Sequence, residues 1–414
     1  MRQVFPLAVL PLLCLVIAWS HASTAAKPTT QAQLRHIESS ARERRSDAVL
    51  IVQDGKTLLE THSQQESGPI ELMSATKSVV ALAIGALMLD GKLASLDEPV
   101  RTFYPEWNQG RKRDITVRML MNHTSGLQNA PNAGAEIEPA ADVVQLALAA
   151  ELDNAPGEKF AYNNKATNLL AGIVERASGE KLDVYLQRRL FAPLNIQAGP
   201  WHRDRAGNPT AMAGLPLTAR DAAKLGQLLL DDGTAPNGTR LLPTGYVQTL
   251  FAESPRSPRV GLLWWRLPAW ETYELRSTAV ADLRARGVDA KLLDALAALA
   301  GRRFDGRDAI FEVLAATLGA QWNDLYGREI IQRGIALADI FDYRSGPIVA
   351  YYADGYLGQY IVVVPEQRLV AVRQIRRRED HRNPQDSYAD FGRDVAVLAT
   401  MLAPKATRAD KSKP

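Results

Sequence analysis

The chain has 414 residues, long enough for one large domain or two smaller ones, and its 46% hydrophobic against 23% charged residues suit an ordinary globular protein. A formal charge of +3 is too small to imply a nucleic-acid partner. The one cysteine, Cys14, lies in an N-terminal apolar run, so the chain beyond it has no thiol nucleophile, disulfide framework or zinc–thiolate site.

Arg2, the apolar run Val4 to Trp19 and the small residues Ala22, Ser23, Ala25 and Ala26 read as a cleaved secretory signal over 1–26. That reading implies export to the periplasm or the medium, with no stable membrane span after cleavage. Cys14 follows Pro-Leu-Leu, without the small residue a lipid-attachment motif requires. Thr29 to Arg45 is polar and suits a helix. Ala48 to Val52 and Lys56 to Glu60 flank Asp54-Gly55, a β-hairpin signal.

Ser78 to Leu89 is unbroken apolar and small sequence ending at Asp90-Gly91, which predicts a buried helix with a glycine stop. Helical patterns continue to about Asp232. Ser254 to Pro258 then breaks the chain before a strand-like run, Val260 to Leu267. The segment 268–344 is rich in Ala, Leu and Arg, with helical spacing at Leu283, Leu292, Leu293, Leu296 and Leu299. Pro347 to Tyr352, Leu357 to Val364 and Leu369 to Ile375 predict strands, Tyr388 to Leu402 a helix, and 404–414 a disordered polar tail. Strands at both ends with helices between them predict an α+β fold. Its single domain would span 27–403, with a helical insertion at 268–344.

Ser74-Ala75-Thr76-Lys77 opens the buried helix, and a spacing of three puts both side chains on one face. A lysine desolvated there favours its neutral form and accepts a serine proton, while the helix N-terminus offers N–H groups to an oxyanion. The spacing alone is weak, and Ser178-Gly179-Glu180-Lys181 repeats it. Gly179 and the polar surroundings mark that copy as a helix end and solvated loop. Tyr162-Asn163-Asn164 precedes the helical run Ala166 to Ala177. A tyrosine near a lysine can relay a proton, and an asparagine can hold a substrate carbonyl; a helix cap with a packed aromatic is the plainer alternative. Gly355-Tyr356-Leu357-Gly358-Gln359-Tyr360 is either a hairpin turn or a strand edge open to substrate, with the Gln359 N–H as second oxyanion donor.

In that order, these residues resemble the three signatures of the serine β-lactamase, penicillin-binding-protein and related esterase superfamily: Ser-x-x-Lys, Tyr-x-Asn and a strand motif ending in glycine. Gly91 to Val100, Ile115 to Leu127, Leu215 to Asp221 and Gly358-Gln359-Tyr360 also resemble family stretches, closest to the class C branch with its carboxypeptidases, esterases and nylon-oligomer hydrolases. The resemblance implies a β-lactamase/transpeptidase-like fold, an antiparallel sheet from both chain ends flanked by helices, with the site beside a helical domain. It implies Ser74, Lys77 and Tyr162 as catalytic residues and Asn164, Tyr356, Gly358 and Gln359 as substrate-binding residues. Neither metal nor organic cofactor is required. His123, in the His-Thr-Ser-Gly stretch, is read as structural, since the Lys–Tyr pair already supplies a base.

Tyr356 stands where the family carries a lysine or histidine that attracts a substrate carboxylate. That departure favours an exported esterase or amidase acting on a small ester, amide or peptide over an efficient β-lactamase. A D-alanyl carboxypeptidase or β-lactamase, and a non-catalytic ligand- or wall-binding protein on the same fold, are the alternatives. The insertion 268–344 is a second departure, either a lid, an interaction surface or a structural elaboration. No Gly-x-Ser-x-Gly elbow, metal-spaced histidine pair or phosphate-binding glycine loop occurs.

Overall fold

The computed structural model describes residues 29–63, 68–129, 136–331, 333–382 and 385–403. The expected signal at 1–26 and tail at 404–414 lie outside the described residues. Among those described, no helix is long and apolar enough to cross a membrane.

Helix α1 (Thr30–Glu43) starts where the Thr29 hydroxyl accepts the Ala32 N–H, and the hairpin of β1 (Ala48–Gln53) and β2 (Lys56–His62) follows. Its turn places Asp54 and Gly55 both at positive φ, as a tight two-residue hairpin demands. A short ladder of β3 (Ile70–Glu71) and β4 (Pro216–Leu217) leads into helix α2 (Thr76–Leu89). Every residue of α2 from Thr76 to Leu87 is buried, so this helix is apolar all round and forms the centre of the molecule. Helix α3 (Asn164–Ser178) ends on Gly179 in the left-handed conformation, and α4 (Ala219–Leu230) starts on the Thr218 cap.

The later strands are β5 (Trp265–Pro268), β6 (Glu271–Leu275), β7 (Arg303–Asp305), β8 (Phe341–Ser345), β9 (Ile348–Gly355), β10 (Gln359–Val364) and β11 (Leu369–Gln374). They build a six-stranded antiparallel sheet in the order β2-β1-β11-β10-β9-β5. Strands from the two chain ends meet at β1 and β11, where Leu50 lies opposite Val372. Leu369 and Ala371 face α1 and the C-terminal helix α5 (Phe391–Thr400), whereas Val370 and Val372 join the core that contains α2 and α4. With both faces covered, β10 and β11 read as unbroken apolar runs; each fully buried valine or leucine contributes roughly 1.5–3 kcal/mol.

Two expectations change. Val260 to Leu267 is not one strand, because Leu263 adopts φ 59° and its carbonyl accepts the Ser78 hydroxyl; only Trp265–Pro268 pairs with β9. The insertion contains helices, with Leu283, Leu292, Leu293, Leu296 and Leu299 in their shared core, but it also holds the three-stranded sheet β7-β6-β8. Those strands are short and charged. The partner of β6 in register, with Glu271 opposite Ser345, lies some seventy residues on, so no local turn signals it. Arg259 ties the insertion to the body, donating to the Tyr273 hydroxyl at 3.0 Å and lying 3.5 Å from Glu271, while Lys159 donates to the Gly334 carbonyl.

Candidate active site

Ser74 occupies a single tight turn, Met73–Ala75, that runs straight into α2. Met73 before it adopts φ 48°, a strained conformation for a residue with a side chain. The β3–β4 ladder imposes it, extended by the Leu72 N–H donating to the Leu215 carbonyl at 2.9 Å. At the start of a helix the first N–H groups have no intrahelical acceptor, and this end carries the positive pole.

Lys77, 3% exposed, lies with Nζ 3.0 Å from Ser74 Oγ and 2.7 Å from the Met212 carbonyl. Burial pushes its ammonium down to about 7, against the pull of the Asp354 carboxylate. A neutral Lys77 that donates to Met212 keeps a lone pair for the Ser74 proton. The Met212 peptide is itself fixed, since its N–H donates to Asn168 Oδ1 at 3.1 Å, one turn along α3 from Asn164.

Tyr162 closes the group. Burial pushes its phenol up, opposed by a hydrogen bond with Ser74, and Lys77 Nζ lies 5.0 Å from its ring centre. The phenol therefore stays protonated near neutral pH and can give up a proton only as another arrives. Asn163 supplies the helix cap, accepting the Ala166 N–H at 2.9 Å and donating to the Leu127 carbonyl at 2.7 Å. His123 accepts the Asn163 N–H at 3.2 Å and packs its ring 4.6 Å from Tyr162. Burial, with Lys77 adding to it, lowers the His123 imidazole to about 3, so it is neutral and positions Tyr162 rather than exchanging protons. Asn164 opens α3, with a buried side-chain Oδ1 that has no hydrogen-bond partner among the described residues.

The second serine–lysine pair is not a pair. Ser178 Oγ accepts the Glu180 N–H at 3.0 Å, while Lys181 Nζ bonds Glu175 at 2.8 Å and Asn208 at 3.0 Å.

The strand motif meets Ser74 three residues earlier than its expected substrate contacts. Gly355 abuts the Ser74 turn: a Cβ there would lie 2.3 Å from the Leu72 carbonyl oxygen and 3.1 Å from the Ala75 nitrogen. Asp354 lines the same small cavity as Ser74, Lys77 and Tyr162. Tyr356, Gly358 and Gln359 do not line it. Tyr356 is 61% exposed, with its ring 6.4 Å from His381. Gly358 turns at φ 84° against the Ser387 carbonyl. Gln359 opens β10, one strand further from Ser74, and its side chain is consumed by the Ile375 carbonyl at 2.5 Å and N–H at 3.2 Å. The physical reason is the hairpin: Gly355 ends β9 beside Ser74, and residues 356–358 are the turn that leaves it.

Asp354, Asn168 and Met212 are absent from the sequence reading. Asn168 carried a signal, a polar residue four positions from Asn164 on the buried face of a helix; Asp354 and Met212 carried none that spacing reveals.

The model of the Beta-lactamase family matches residues 34–391. The chain belongs to the β-lactamase family. A relative, the 6-aminohexanoate-dimer hydrolase of Paenarthrobacter ureafaciens, is 27% identical over an alignment of 248 positions that covers 54% of this chain and 62% of that protein. The chain thus matches less than two thirds of that relative's length. Among solved structures, a class C β-lactamase mutant superposes with a TM-score of 0.55 at 15% identity, covering 92% of this chain and 99% of the other. EstCE1, described as a hydrolase with promiscuous acyltransferase activity, gives a TM-score of 0.55 at 14% identity over 90% of this chain and 98% of its own. The fold is the β-lactamase/transpeptidase-like fold of this hydrolase family, as the motifs led one to expect.

Proposed function

We propose that the chain is a serine hydrolase that cleaves a small ester or amide through an acyl-enzyme on Ser74. One observation carries this reading: Lys77 Nζ lies 3.0 Å from Ser74 Oγ in surroundings that bring the lysine to about 7. Neutral Lys77 takes the Ser74 proton as Oγ bonds to the substrate carbonyl carbon. The Ser74 N–H at the helix start and backbone at the Gly355 end of β9 hold the oxyanion. Tyr162 protonates the departing alcohol or amine and regains its proton from Lys77; water then attacks the acyl carbon and frees Ser74.

A carboxylate, Asp354, faces this cavity, and no lysine of the strand motif does, which favours esters and amides over substrates recognised by a carboxylate, such as β-lactams. The name of the 6-aminohexanoate-dimer hydrolase is consistent with an amide. The N-terminal signal pattern supports export, and the sequence supports one domain over 27–403 with 268–344 inserted.

The test is intact mass of the protein after exposure to a fluorophosphonate, with Ser74→Ala alongside. A single adduct on the native protein alone is expected. A folded native protein that gains no adduct and hydrolyses no ester would make it a ligand-binding protein on this fold.

A further inference from the structure

Among the described residues, no side chain hydrogen-bonds or ion-pairs with the carboxylate of Asp354, although it stands beside Ser74 and Lys77. It sits one residue before the end of β9 and lines the cavity with Ser74, Lys77 and Tyr162. Its backbone belongs to the ladder with β10, but its carboxylate carries only through-space interactions. Such a charge, largely removed from water, costs stability and gives nothing back to the fold.

The neighbouring cations Arg307, Lys77 and Arg259 act on Asp354 only through space, and each makes its close contacts with other groups. Lys77 is held by Ser74 and Met212, Arg259 by Tyr273 and Glu271, and Arg307 lies 3.6 Å from Asp308. The wall beside Asp354 is aromatic. Trp265 stacks on Tyr162 at 6.3 Å with 22° between the planes and on Tyr352 at 6.5 Å with 25°. A carboxylate beside π faces attracts an ammonium group and repels an anion.

We propose that Asp354, with Trp265 and Tyr162, forms a cation subsite, so that the preferred substrates carry an ammonium group close to the scissile ester or amide bond. This rests on the serine-hydrolase reading and names the substrate class for that site. Asp354 contacts the substrate charge, and Trp265 supplies the facing wall. Tyr356, exposed and outside the cavity, takes no part.

The experiment compares kcat/KM for two matched ester pairs. On the acyl side these are the p-nitrophenyl ester of trimethylammoniobutyrate and its isostere with a tert-butyl group in place of trimethylammonium. On the alcohol side they are choline butyrate and its tert-butyl isostere. For at least one pair the cationic ester is expected to lead by on the order of tenfold or more. That ratio should fall to about one in Asp354→Asn, persist in Asp354→Glu, and decline in Trp265→Leu, which keeps the test intact should one variant fail to fold. A native ratio near one for both pairs, or a ratio unchanged in folded Asp354→Asn, overturns the subsite. Fluorophosphonate labelling run in parallel separates the two ideas. A protein that labels at Ser74 without any cation preference loses only the subsite, whereas one that neither labels nor turns over any ester loses the hydrolase reading and the subsite with it.

Discussion

Two segments converge on Ser74 and are built on opposite principles. The turn into α2 is local: Ser74 lies in the turn that runs straight into the helix and Lys77 in its first turn, three residues on, with Nζ 3.0 Å from Oγ. The end of β9 is non-local. Asp354 and Gly355 arrive from almost three hundred residues away, aligned by the pairing of β9 with β10 and β5 and by the contact of Gly355 with the Leu72 carbonyl. The difference teaches where each kind of information resides. A motif that is its own scaffold is readable from spacing, whereas a motif delivered by sheet register slips by a few residues when read from spacing alone.

The largest effect should come from the local segment. Lys77→Met removes the proton acceptor, and kcat/KM for an ester is expected to fall by about a thousandfold or more. Thermal stability should hold or rise, because a buried amine is exchanged for an apolar chain of similar shape. A parallel loss of melting temperature would mean that Lys77 serves the fold rather than the reaction.

The non-local segment is tested by Gly355→Ala. The new methyl group would have to push the Leu72 carbonyl and the Ala75 nitrogen away, shifting the Ser74 turn, and a loss of roughly a hundredfold in kcat/KM is expected. Activity near that of the native protein would uncouple β9 from the nucleophile.

The smallest effect links the two segments. Activity should climb through about pH 7 as Lys77 loses its proton. Asp354 holds that proton on, so Asp354→Asn should move the acid limb of the kcat/KM profile to lower pH; a shift to higher pH would place the titrating group elsewhere. The same lysine imposes a sign on stability. Its folded value lies below its unfolded one, so the unfolded chain binds more protons, and the fold gains stability as pH rises from about 7 toward 10.5.

Much of the fold was legible. The Asp54-Gly55 hairpin, the apolar α2 with its glycine stop and the run Leu369 to Gln374 each repeat a strong local pattern. The site was half legible: Ser74, Lys77 and Tyr162 come together, while Asn164, Tyr356, Gly358 and Gln359 do not line the cavity. The glycine-rich turn drew the reading three residues too far along, because two glycines mark a hairpin whichever of them faces the nucleophile. β6 and β8 escaped for the same reason as Asp354. Glu271-Thr272-Tyr273-Glu274-Leu275 becomes a strand only beside a partner far along the chain.

The insertion leaves and rejoins the body at a single point. The Ala269 N–H donates to the Pro347 carbonyl and the Gly346 N–H to the Trp270 carbonyl, each at 2.9 Å, so the departing and returning chains run side by side between β5 and β9. A cassette with adjoining ends can be lengthened, shortened or exchanged without altering the register of the sheet that carries Asp354 and Gly355. Over evolutionary time, and equally in a laboratory graft, the molecule can exchange this cassette while leaving the sheet and the residues around Ser74 in place.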